Sequence, residues 1–153
     1  MSTHSSAPYL AARDTPVGAR GALLERVVGE WHAVLRNTLQ PLDLTPAQFR
    51  LLVAATWLSA RHSAVRQSHI ATHANADPVM TSEVLRTLES RGFVVRGPHP
   101  TDRRAHAVTV TEAGGRLADR AARLVEVVET RFFEKGMAEF GQLAKALKKG
   151  GRG

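Results

Sequence analysis

The feature that most narrows the fold is a short helix, a tight turn and a second, sharply bounded helix in direct succession between Gln67 and Gly92. Gln67 to His73 reads as the short helix, and Asn75, Ala76 and Asp77 as the turn. Asp77 is an N-cap residue, and Pro78 suits the first helical position because its missing N–H would have no intrahelical acceptor there. Gly92 marks the exit, where the chain must leave the helix with positive φ. This arrangement is a helix-turn-helix signature. On the second helix Thr81, Val84, Leu85 and Leu88 follow the i, i+3, i+4, i+7 rule and face a core. The opposite stripe is Val79, Ser82, Glu83 and Arg86, with Pro78 at its head.

The flanks complete an order of elements. Leu23, Leu24, Val27, Val28, Trp31, Val34 and Leu35 predict a long amphipathic helix over Val17 to Leu39, ended by Pro41. Thr45, Pro46 and Gln48 form a capping box that starts the next helix, which runs to about Ala60. Past the helix pair, Phe93 to Arg96 and Ala107 to Val110 are β-prone, and the loop from Gly97 to Arg104 suits a hairpin tip. Thr111 caps a long helix with Leu117, Ala121, Leu124, Val125, Val128 and Phe132 on one face, interrupted at Gly136. A last amphipathic segment around Phe140, Leu143, Ala144 and Leu147 ends in Lys148, Lys149 and a Gly-rich tail.

Charge points to the partner. Lys and Arg number 21 against 14 Asp and Glu, a formal net charge of +7, which favours a polyanion: nucleic acid or an anionic membrane surface. The longest apolar run, Leu51 to Leu58, falls far short of the roughly 18 residues a spanning helix needs. Residues Met1 to Pro8 lack the basic and apolar regions of a secretory signal, so a cytoplasmic address without membrane attachment is expected. With no cysteine there is neither a disulfide nor a thiolate sensor.

The exposed stripe of the second helix suits a major groove. Arg86 reaches guanine O6 and N7, Glu83 accepts from cytosine N4, Ser82 offers a hydroxyl, and Val79 meets a thymine methyl. In the hairpin, Arg96, His99, Arg103 and Arg104 cluster on a loop too thin to need them for packing, so phosphate or a narrowed minor groove is the expected partner. Asp102 breaks that run and is expected to hold the Arg104 guanidinium in shape.

Four stretches carry a resemblance: Leu44-Thr45-Pro46-Ala47-Gln48, Leu88-Glu89-Ser90-Arg91-Gly92, Asp102-Arg103-Arg104 and Thr111-Glu112-Ala113-Gly114. In this order and at these separations the chain from Leu44 to Gly114 resembles the MarR family of winged helix-turn-helix regulators. The resemblance implies that Arg104 enters the minor groove with Asp102 as its partner, and that Ser82 is the hydroxyl residue near the start of the recognition helix. It also implies that the first and last helices pack between protomers. Glu83 departs from it, standing where many relatives carry a basic residue. The expected fold class is therefore mainly α, an α+β winged helix. Its divisions are a flexible arm over 1–15, a dimerisation helix over 16–42 and a DNA-binding winged helix over 43–111. C-terminal dimerisation helices over 112–149 and a flexible tail over 150–153 follow. A homodimer also follows from physics, because one winged helix reads too few base pairs to select among genomic sites.

The remaining polar and aromatic residues leave alternatives. Trp31, His32 and Trp57 are a candidate effector pocket for a small aromatic or phenolic ligand, as the resemblance implies, or else core and dimer packing. His62, His69 and His73 raise a metal-responsive regulator as an alternative, and no metal or cofactor is assigned. A sequence-indifferent DNA-packing protein would share the charge and the hairpin. No Gly-rich phosphate loop, metalloprotease helix or nucleophile elbow supports an enzyme.

Overall fold

The computed structural model describes residues 18–134 and 136–150, so the expected arm over 1–15 and tail residues 151–153 lie outside it. The chain divides after residue 33 into two compact units. Helix α1 is Ala19–Leu39, and its first part makes up the described portion of the N-terminal unit. There Leu23, Leu24, Val27 and Val28 stand exposed to solvent.

The second unit begins with the end of α1, where Leu35 and Leu39 are buried, and a 3-10 turn at Gln40–Leu42. It continues with α2 (Pro46–Ser59), β1 (Val65–Arg66), α3 (Gln67–His73), α4 (Pro78–Ser90), β2 (Val94–Pro98), β3 (His106–Val110), α5 (Glu112–Phe133) and α6 (Met137–Gly150). Helix α2 is its hub. It buries Leu51, Leu52, Ala54, Ala55 and Leu58 and packs against α3, α4, α5 and the sheet. Its start is the expected capping box: the Gln48 N–H donates to Thr45 Oγ1 at 3.1 Å and the Thr45 N–H to Gln48 Oε1 at 3.0 Å.

The sheet is antiparallel in the order β1-β3-β2, with Val65 and Arg96 on either side of Val108, and Val94 opposite Val110. Strand β1 was not anticipated, because the stretch after α2 reads as a polar link and a strand of this length shows no alternation. The hairpin arms also run closer to the tip than expected, to Pro98 on one side and from His106 on the other. Phe93 lies outside β2, its carbonyl accepting from the Thr111 N–H at 3.1 Å.

Helix α5 buries Gly114, Ala118, Ala121 and Val125 rather than the larger Leu117 and Leu124 of the expected stripe. Small side chains let it lie close to the hub. At its first turn a Cβ on Gly114 would collide with the Phe93 carbonyl oxygen, so the Thr111 to Gly114 motif is a point of close backbone approach.

Candidate nucleic-acid interface

Helix α4 is positioned by three sets of bonds, one at its start and two at its end. Asn75, at φ 47, turns the chain after α3, and the Asp77 carboxylate then accepts from the N–H groups of Val79 at 2.9 Å and Met80 at 3.0 Å. Thr81, Leu85 and Leu88 are buried and Val84 half-buried, so the core-facing stripe is the expected one. On the opposite side Val79 is 69% exposed, Pro78, Glu83 and Arg86 are exposed, and Ser82 is half-buried.

The end of α4 is held in two directions by neighbouring residues of one motif. Glu89 Oε1 accepts the Arg96 backbone N–H and Oε2 its Nε, both at 2.9 Å, which fastens the helix to strand β2. The Arg96 N–H, then its guanidinium, hold the Glu89 carboxyl below the usual glutamate range against an opposing effect of burial, and the Arg86 charge adds to the lowering. Arg91 reaches the other way, donating to the Asp43 carbonyl at 2.7 Å and the Asp43 carboxylate at 3.0 Å, with Gln48 Oε1 at 3.4 Å. Asp43 adopts the left-handed conformation, at φ 51, in the turn before α2. Two sequence motifs are thereby one joint between the capped start of α2 and the end of α4.

Arg96 was expected to be a DNA contact. With its side chain 19% exposed and its Nε on Glu89, it braces the base of the hairpin, a task the sequence reading did not give it. At the tip, the His99 N–H donates to the Ala105 carbonyl and the Ala105 N–H to the Asp102 carbonyl, each at 3.0 Å. His99 Nδ1 lies 3.3 Å from both the N–H and Oγ1 of Thr101. Asp102 Oδ1 accepts the Arg104 backbone N–H at 3.0 Å, and Oδ2 pairs with Arg66 Nη1 at 3.3 Å. Asp102 thus shapes the backbone of Arg104, whereas the guanidinium it holds is that of Arg66, a residue sequence reasoning missed. The signal was present: Arg66 is the N-cap of α3, where Ser, Thr, Asp or Asn is preferred, and its side chain makes no capping bond. Arg103 and Arg104 are exposed, and no side-chain partner is found for either among the described residues.

Of the aromatic candidates, Trp31 and His32 belong to the N-terminal unit and Trp57 to the second. Trp31 is half-buried and His32 exposed on the first part of α1. Trp57, on α2, is 44% exposed and stacks on His73, with ring centroids 4.7 Å apart and planes inclined by 17°. The Arg61 guanidinium sits 3.7 Å from the Trp57 ring centroid. A cavity of about 290 Å³ beside them is lined by Phe49, Arg50, Val53, Trp57 and His73. His62 and His69 are exposed, and no three potential metal ligands gather among the described residues.

A short helix and a second helix joined by a tight turn, followed by an antiparallel hairpin closed with a third strand, define a winged helix-turn-helix. The chain matches the MarR family over residues 44–106. It is 34% identical over 122 residues to the HTH-type transcriptional regulator YdcH of Bacillus subtilis, covering 80% of this chain and 83% of that one. Among solved structures it is similar to the transcriptional repressor CouR of Rhodococcus jostii RHA1 bound to p-coumaroyl-CoA, with TM-score 0.72, 31% identity and coverage of 85% and 90%. CouR bound to a 23-mer DNA duplex gives TM-score 0.70 at 31% identity, covering 86% and 92%. A mutant of MarR from Escherichia coli complexed with operator DNA gives 0.72 at 25% identity, covering 88% and 98%. The chain belongs to the MarR family and is a transcriptional regulator of that kind. Among the described residues no helix is long and apolar enough to cross a membrane.

Proposed function

We propose that this regulator acts in the cytoplasm as a homodimeric repressor, binding a pseudo-palindromic DNA duplex and leaving it when a small aromatic or phenolic ligand binds. The observation that carries the DNA contact is the pairing, in one unit, of a core-anchored helix with an open Val79, Ser82, Glu83 and Arg86 face and a hairpin whose Arg103 and Arg104 have no side-chain partner among the described residues. Pro78 to Arg86 serve the major groove. Arg103 and Arg104, with His99 nearby, serve phosphate and the adjacent minor groove, while Asp102 and Arg96 keep the wing in shape.

The division of labour follows the sequence: a dimerisation helix over 16–42, a DNA-binding domain over 43–111 and C-terminal dimerisation helices over 112–149. Exposed Leu23, Leu24, Val27 and Val28 on α1, and Phe140, Leu143 and Leu147 on α6, support a second copy as their cover. CouR bound to p-coumaroyl-CoA supports ligand control, with Trp31, His32 and Trp57 as the candidate effector contacts.

Selecting bound fragments from genomic DNA tests this reading. The expected result is a two-fold sequence with half-sites about 34 Å apart. If each protomer neutralises about five phosphates, log affinity falls with log salt at a slope of about −9. Equal binding to selected and unrelated duplex would instead favour a DNA-packing protein. Release by a divalent metal, with no release by aromatic acids, would favour a metal-responsive regulator.

A further inference from the structure

Arg66 belongs to no motif of the recognition surface, yet it stands where the helix-turn-helix meets the wing. It is the N-cap of α3, with φ −77 and ψ 142, and makes no capping bond through its side chain. An arginine there gives up a stabilisation that Ser, Thr, Asp or Asn would supply, and it sets a cation at the positive end of a helix. Its backbone is fixed beside the wing, since Arg66 pairs with Ala107 in the β1–β3 ladder. Its Nη1 lies 3.3 Å from Asp102 Oδ2, with the two side chains 37% and 34% exposed. The other oxygen of that carboxylate accepts the Arg104 backbone N–H at 3.0 Å. One carboxylate therefore ties the conformation of Arg104 to the first residue before α3.

We infer that Arg66 is a positioning residue for DNA binding: through Asp102 it holds the wing tip so that Arg104 is presented to the duplex in one conformation. The inference rests on the wing reading proposed above. The arrangement removes the need to order the loop when DNA binds, which is where preorganisation gains affinity. The Arg66 side chain acts on Arg104 and not on DNA directly.

The experiment measures affinity for a selected operator fragment with the full chain and with Arg66→Ala, Arg104→Ala, the double variant and Arg66→Lys. Arg66→Ala is expected to weaken binding on the order of ten-fold for a dimer. Its thermal midpoint should stay within about 2 °C of the parent, because a half-exposed ion pair adds little stability. The double variant should bind no more weakly than Arg104→Ala alone, and Arg66→Lys should recover part of the loss. Multiplying losses in the double variant would mean that Arg66 touches DNA itself, and would overturn the inference. So would an Arg66→Ala variant that binds like the parent. A parent chain that does not prefer the selected fragment over unrelated duplex would instead sink the regulator reading, a result read before any variant is made.

Discussion

The Glu89 carboxylate accepts the Arg96 backbone N–H on one oxygen and the Arg96 guanidinium on the other, so the folded chain favours its ionised form. A glutamate whose folded pKa lies below its unfolded one adds stability above the unfolded value and loses it as pH falls through the folded one. Glu89→Gln is therefore expected to lower the thermal midpoint at neutral pH, with the gap to the parent closing in acid below the ordinary glutamate range. Melting curves across that range check it; a gap that persists in acid would assign the loss to packing instead. Thr81, fully buried on the same helix, has a hydroxyl with no partner among the described residues. Thr81→Val replaces that hydroxyl by a methyl group of similar size, and urea unfolding should show it more stable by about 1 kcal/mol. A variant that unfolds at lower urea would reveal a partner for the hydroxyl.

Helix α4 and the hairpin are held by bonds that converge from both chain directions, and Gly114 is where the tolerance is smallest. The Phe93 carbonyl already receives the Thr111 N–H, and Thr111 Oγ1 donates to the Gly92 carbonyl at 2.7 Å. Gly114→Ala must push α5 away from this junction, which by the usual cost of overpacking destabilises by about 1–3 kcal/mol. Equilibrium unfolding measures the loss, and a neutral variant would show that the junction relaxes freely. The starts of α2, α4 and α5 were legible in Thr45, Asp77 and Thr111 because a cap bonds an N–H two or three residues away. Strand β1 was not legible. Its existence depends on β3, a partner some forty positions further along the chain.

At the scale of the whole molecule, apolar side chains stand exposed in series along α1, at Leu23, Leu24, Val27 and Val28, and along α6, at Phe140, Leu143 and Leu147. A charge placed in the α1 stripe, as in Leu24→Glu with Val28→Glu, is expected to leave a folded monomer. Sedimentation should show the loss of the proposed homodimer, and the salt dependence of operator binding should fall to about half its parent slope, since in that reading each protomer brings its own phosphate contacts. A variant that stays dimeric would move the interface to other surfaces. The same scale decides which positive charges are available to a polyanion. Net charge made DNA a natural partner, but of the arginines near the wing, Arg66, Arg91 and Arg96 are engaged by Asp102, Asp43 and Glu89, while Arg103 and Arg104 have no such carboxylate among the described residues.

By itself the order of residues determined the helix starts, the core-facing side of α4 and the winged architecture, because caps and amphipathic stripes arise between neighbours within about a turn or two. Only the tertiary structure decided what each guanidinium does. Arg91 and Asp43 are 48 positions apart, and Asp102 meets Arg66 because a sheet brings them together. An ion pair selects its partner by distance in space, and that distance is set by packing rather than by separation along the chain.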